Sequence, residues 1–211
     1  MITEKIYTLY LSHLISGNKK ECTAITKDLL NQNISIYELY TNLFQQAMYQ
    51  IGKLWEENKI SVATEHMATS IIENLLNLVY PQIFSAAHIG KSAIVSCVPN
   101  ELHQLGAKMV ADIFELNGWD GFFLGANTPS NDLLQMIDEK KPDLLALSMS
   151  IESNQPALKE TIQMLQASYP VLQIIVGGQG LLTYGTYIVS NYSNVSYIDS
   201  LARLEQLIRN I

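Results

Sequence analysis

The sequence predicts a helical bundle followed by a doubly wound parallel α/β sheet. Two observations carry this. Apolar residues recur at helical spacing, with short interruptions, through roughly the first 87 residues. After His88-Ile89-Gly90-Lys91 the rhythm changes, and short β-branched runs alternate with helical ones. The expected domains are therefore 1–88 and 89–211.

The first half reads as four or five helices. Ile2 to Ser16 places Ile6, Leu9, Tyr10, Leu14 and Ile15 on one stripe, and Gly17-Asn18 ends it. Lys20 to Asn31 follows, with Cys22, Ile25, Leu29 and Leu30 on one face. Ser35 is a candidate N-cap, and Glu38 completes a capping box with it. A helix runs on through Tyr40, Leu43, Phe44, Ala47, Ile51 and Leu54. A loop at Glu57-Asn58-Lys59 precedes a last long helix from Ser61 to Ile83. Short loops between such helices predict an antiparallel bundle.

The second half reads as five strands. They are Ala93–Val98, Asp120–Leu124, Asp143–Ser148, Leu172–Val176 and Val195–Ile198. The helices between and after them are His103–Asn117, Asn131–Lys140, Gln155–Ser168 and Ser200–Asn210. Thr128-Pro129-Ser130 supplies capping and early-proline signals for the second of these. A β-α repeat of this length is a Rossmann-like sheet of flavodoxin-like size.

Composition excludes several classes of function. Hydrophobic residues make up 48% of the chain, too many for disorder. The formal net charge of -7 and the absence of a Lys/Arg-rich cluster argue against direct DNA binding and against an anionic membrane surface. No apolar run approaches the ~20 residues that span a bilayer. The N-terminus lacks the order of a signal peptide. Cys22 and Cys97 lie 75 positions apart and form no zinc-type spacing, which fits reduced thiols in a cytoplasmic protein.

Open α/β sheets bind ligands at the C-terminal edge of their strands. The residues expected there are Glu101, His103 and Gly106 after the first strand, and Gly125, Asn127 and Thr128 after the second. Ser148 and Ser150 follow the third, and Gly177, Gly178 and Gly180 the fourth. Glycines let backbone N–H groups approach a ligand, and hydroxyls donate or accept as needed. His103 is one candidate metal ligand, with Glu101 placed to orient it. It also reads as an ordinary loop histidine. The loop Val98 to Gly106 has a single glycine, which rules out a GxGxxG nucleotide site. Ser148 stands where a phosphorylated receiver domain would need an Asp.

Taken together these motifs resemble cobalamin-binding domains of the methionine-synthase type. Those domains carry Asp-x-His-x-x-Gly, a more distant Ser-x-Leu, and then Gly-Gly. Here the corresponding residues are Glu101-Leu102-His103-Gln104-Leu105-Gly106, Ser148-Met149-Ser150 and Gly177-Gly178. Glu101 replaces Asp, and Ser150 replaces Leu. The likeness covers the whole second half, including Leu124-Gly125-Ala126-Asn127-Thr128-Pro129. It implies base-off, His-on binding of cobalamin, with His103 as the lower axial cobalt ligand and Glu101 tuning its basicity. Ser148, Ser150 and the Gly177–Gly180 turn would line the cavity for the nucleotide tail.

The helical half sharpens the class. Trp55 is followed by nine residues and then Glu65-His66. By themselves these residues read as a core Trp and a surface pair. The stretch Ile51 to His66 is similar to the bundle of CarH-type light sensors, which bind adenosylcobalamin and set Trp and Glu-His over the upper cobalt face. Glu101 in place of Asp also matches that group. On this resemblance Trp55 forms a flat lid, Glu65 accepts from ribose hydroxyls, and His66 is a polar partner. Two departures stand out: this chain has no helix-turn-helix segment, and Glu56 replaces the His that follows the Trp in those sensors.

The functional expectation is a cobalamin photosensor that binds adenosylcobalamin and signals by changing assembly, as a homo-oligomer, or by binding a separate signalling protein. The alternative is a corrinoid carrier of a methyltransferase system, holding methylcobalamin. A third reading adds a bilin as second chromophore.

Overall fold

The computed structural model describes residues 1–211. The chain divides into two compact units, Met1–Gln82 and Ile83–Ile211.

The first unit is all helical. Helix α1 (Glu4–Ile15) is capped by Thr3, whose hydroxyl accepts from Ile6 N. Helix α2 (Lys19–Asn31) is capped by Asn18. Ser35 caps α3 (Ile36–Leu39) as expected, its Oγ accepting from Glu38 N at 3.1 Å, while the Glu38 carboxylate also accepts from Ile2 N. The helix continues through a π-helical stretch, Tyr40–Gln45, into α4 (Gln46–Glu56). The wider π turn places Tyr40, Leu43 and Phe44 wholly inside, where Tyr40 and Tyr10 flank Phe44.

Helix α5 (Val62–Leu76) starts at the Ser61 cap but stops well short of the expected Ile83. A turn follows, and then the short α6 (Tyr80–Ile83). Pro81 is the physical reason: within an unbroken helix its ring would strike the carbonyl one turn back. Pro81 is accommodated instead in the first turn of α6.

The second unit holds a five-stranded sheet, all parallel, in the order β2-β1-β3-β4-β5. The strands are β1 (Ser92–Cys97), β2 (Asp120–Gly125), β3 (Leu144–Ser148), β4 (Gln173–Gly177) and β5 (Val195–Tyr197). The crossovers are α7 (Leu105–Leu116), α8 (Ser130–Lys140), α9 (Gln155–Ser168) and α10 (Gly185–Val189), and α11 (Leu201–Asn210) closes the chain. This is the expected Rossmann-like architecture. β1 and β3 are buried along all but one end residue each, as central strands flanked by helices on both faces are. One face packs Ile94, Leu145, Leu147 and Val176 against Leu133, Leu158 and Ile162 from the helices.

Three local expectations shift. Helix α7 begins at Leu105, not His103, because the His103 N–H is bound to the Glu101 carboxylate. Helix α8 starts at Ser130 with Pro129 at the cap position, and no side chain caps it. Helix α10 has no counterpart in the sequence reading, since five residues carry too little periodicity to register.

Candidate functional site

The strand order reverses between β1 and β3, and the loops that follow these two strands meet. Such a switch point is where open α/β sheets hold ligands. Glu101 sits in the first loop with its side chain completely buried. Five donors satisfy the carboxylate. Oε1 accepts from His103 N at 2.9 Å and lies 2.6 Å from His103 Nδ1. Oε2 accepts from Ser150 N at 2.8 Å, Ile151 N at 2.9 Å and Asn154 Nδ2 at 3.1 Å.

A buried charge is tolerated only when so held. Burial alone pushes the Glu101 carboxyl up. The hydrogen bonds from the His103 ring, His103 N, Ile151 N and Ser150 N outweigh it and hold the group at about 2. Glu101 is therefore an anion, and an anion facing Nδ1 fixes the tautomer of His103. Nδ1 then carries the proton, and Nε2 is the ring nitrogen that could hold a metal. The His103 side chain is 50% exposed, so the ring stands at the surface while its anchor does not.

The other strand-end loops lock around this pair. Asn127 N donates to Glu101 O at 2.9 Å, and Asn127 Oδ1 accepts from Asn100 N at 2.8 Å. Gln104 Oε1 accepts from Ala126 N at 3.2 Å. Asn100 and Asn127 are both left-handed, a conformation Asn tolerates better than other non-glycine residues. Met149 N donates to Gly177 O at 2.9 Å, and Gly180 N to Met149 O at 3.1 Å, tying the β4 loop to the β3 loop.

Of the residues singled out from the sequence, Glu101, His103, Ser150 and Asn127 are brought into one hydrogen-bonded network. Ser148 ends β3 in register with Cys97 and Gly177. Thr128 lies half-buried in the loop before α8, and Gly106 is exposed in the first turn of α7. Trp55, Glu65 and His66 belong to the helical unit. Trp55 lies in the last turn of α4 and is 42% exposed. The Glu65 side chain is 13% exposed and the His66 side chain 74%, with Oε2 and Nε2 3.5 Å apart. Glu65 Oε1 also accepts from Thr69 Oγ1 at 2.8 Å. The network contains residues that sequence reasoning missed: Asn100, Gln104 and Asn154. Asn100 reads as a turn residue and Asn154 as a helix cap, so neither carried a functional signal.

No group of three or more His, Cys, Asp or Glu side chains could hold a bare metal ion. A single imidazole suits a metal that brings its other ligands with it, as cobalt in a corrin ring does. A Cβ added at Gly106 would meet nothing within 4 Å, so the space beside the histidine loop is open.

A family model described as a B12 binding domain matches residues 91–199, more than half of the chain. The chain belongs to the B12 binding domain family. A second model of the same description matches residues 7–80 in the helical unit. The HTH-type transcriptional repressor CarA of Myxococcus xanthus is 30% identical over 124 residues, 58% of this chain and 42% of the repressor. The chain thus spans about two-fifths of that relative's length. Dimethylamine corrinoid protein 2 of Methanosarcina mazei is 19% identical over 182 residues, 84% of this chain and 85% of that protein. The solved monomethylamine corrinoid protein of Methanosarcina barkeri has a TM-score of 0.85 at 14% identity, with 100% of both chains covered. At that identity the likeness speaks for the fold. This member of the B12 binding domain family is a cobalamin-binding protein, and no helix in it is long and apolar enough to cross a membrane.

Two glycines of this cobalamin-binding protein should respond oppositely to alanine. Gly178 has a φ of 114°, and a Cβ there would overlap the Met149 carbonyl. Gly178→Ala is expected to cost about 2 kcal/mol of stability in urea unfolding. Gly106→Ala meets no protein atom and sits in a helix that favours Ala, so the urea midpoint should hold while cobalamin affinity falls. Equal affinity in Gly106→Ala would remove Gly106 from the site.

Proposed function

We propose that the protein binds adenosylcobalamin base-off, with His103 Nε2 on cobalt, and turns photolysis of the upper ligand into a change of assembly or partner binding. The carrying observation is the His103–Glu101 pair: an outward imidazole whose Nδ1 lies 2.6 Å from a buried carboxylate held by five donors. When bound, cobalamin supplies a weak cobalt–carbon bond that light can break. The chain's own part is to hold and report. Glu101 keeps His103 in one tautomer and one orientation, so the metal meets a preformed donor. Ser148, Ser150 and the Gly177–Gly180 turn would line the cavity for the nucleotide tail, with Asn127 and Thr128 as further cofactor-binding residues in the loop after β2.

Trp55, Glu65 and His66 contact the upper ligand in this reading. The Glu65 carboxylate, held by the Thr69 hydroxyl, would accept from ribose hydroxyls. Trp55, Glu65 and His66 would thus make the equilibrium of the helical unit depend on which upper ligand the cofactor carries. The similarity to CarA supports this reading.

A second reading, a methyl-carrying corrinoid protein of a methyltransferase system, is favoured by the nearly full-length match to dimethylamine corrinoid protein 2. One experiment separates the two. Protein loaded with adenosylcobalamin in the dark should change its visible spectrum irreversibly under green light and shift its elution volume. A spectrum and elution volume unmoved by light, together with methyl transfer from a methylcobalamin-loaded form, would establish the carrier instead.

A further inference from the structure

We infer that Thr69 is a positioning residue that sets a preference for adenosylcobalamin over methylcobalamin, by holding the Glu65 carboxylate in one orientation for the ribose hydroxyls. The inference rests on the reading of Glu65 as a ribose acceptor and deepens it. A threonine inside a helix ordinarily directs its hydroxyl to the carbonyl one turn back. Thr23, Thr26, Thr41 and Thr161 do so, donating to Lys19 O, Cys22 O, Tyr37 O and Ala157 O at 2.7–2.9 Å. Thr69 departs from that habit. Its Oγ1 donates to the side chain one turn back, Glu65 Oε1, at 2.8 Å. Thr8 also faces a carboxylate, but the Glu4 oxygen lies 3.5 Å away on an exposed face.

The surroundings of Thr69 account for this. Its hydroxyl has a single proton, and a second acceptor, the Met48 thioether of α4, lies 4.0 Å away. Sulfur accepts weakly and an ionised oxygen strongly, so the proton goes to Glu65. A Glu side chain otherwise samples many rotamers. Tying Oε1 to a hydroxyl of the same helix removes that freedom before any ligand arrives, so binding does not bear the cost of ordering it. Oε2 stands 3.5 Å from His66 Nε2, beyond a short hydrogen bond, and keeps lone pairs for an incoming hydroxyl. The Glu65 side chain is 13% exposed, which strengthens such a bond over its worth in open water. The adenosyl group brings ribose hydroxyls and a methyl group brings none. A carboxylate held in this way therefore favours the first cofactor and is indifferent to the second.

The test measures dissociation constants for adenosylcobalamin and for methylcobalamin in the dark, by absorbance titration of the full chain. Thr69→Val keeps the branched shape and removes the hydroxyl. It should bind adenosylcobalamin about tenfold more weakly, the size of one lost charge-assisted hydrogen bond, and methylcobalamin as wild type does. Thr69→Ser restores the donor and should recover the wild-type ratio of the two constants. Equal weakening of both cofactors is the mark of a purely structural role. That result, an unchanged ratio in Thr69→Val, or a Ser variant no better than Val overturns the assignment of Thr69. If the Val variant does not fold, Thr69→Ala supplies the same comparison. Glu65→Ala tells this failure from failure of the underlying reading. A Glu65→Ala protein with the wild-type ratio overturns Glu65 as the ribose acceptor, whereas a ratio lost there and kept in Thr69→Val overturns Thr69 alone.

Discussion

His103→Ala is expected to bind cobalamin without a protein nitrogen on cobalt. The visible spectrum should change to the base-off form, and affinity should fall by about 100-fold, the upper end for losing a metal ligand or its partner. The expectation follows from the site's economy. The fold offers no cluster of metal-binding side chains, so on the proposed reading the protein would hold cobalt through the His103 imidazole. The folding cost should be small, because the ring is half exposed and its anchor Glu101 keeps its bonds to His103 N, Ser150 N, Ile151 N and Asn154 Nδ2. Loss of the spectrum without loss of the fold is thus the signature. An unchanged spectrum with the variant would rule out His103 as the ligand.

Glu101→Ala should behave in the opposite way and unfold more easily with or without cofactor. The carboxylate is buried and collects five donors from two loops, those after β1 and β3. Deleting it strands those donors away from water, at a cost of about 3–5 kcal/mol. Urea unfolding of the cofactor-free protein measures this directly. The same group gives a pH dependence. Its folded value of about 2 lies below the 4.5 of a free Glu, so its contribution is fully present above about pH 4.5 and is lost as pH falls toward 2. The difference corresponds to about 3 kcal/mol. Wild type should lose stability through that acid window more steeply than Glu101→Ala. Parallel acid curves for the two proteins, or equal urea midpoints, would show that the carboxylate does not carry this load.

The fold was legible because its signals are local and repeated. Helical stripes with short breaks preceded a β-α alternation, and both periods survive in the structure. Errors fell where a single residue overrode the pattern. Pro81 ended α5 early, and the Glu101 carboxylate delayed α7 by capturing the His103 N–H. The candidate site was legible only in part. Glu101 and His103 are close in sequence, so their relation could be read. Asn154 lies 53 residues from Glu101, and its sequence context advertises a helix cap. Nothing in a linear chain tells whether a cap residue will cap.

The sequence by itself determined the order of the elements, and the resemblance of its strand-end His with its acid, its spaced serines and its paired glycines to cobalamin-binding domains pointed to the class of cofactor. The tertiary structure alone decided how the acid is kept charged. That depends on peptide N–H groups and an asparagine amide delivered by a distant loop, and burial makes those donors decisive because water cannot replace them.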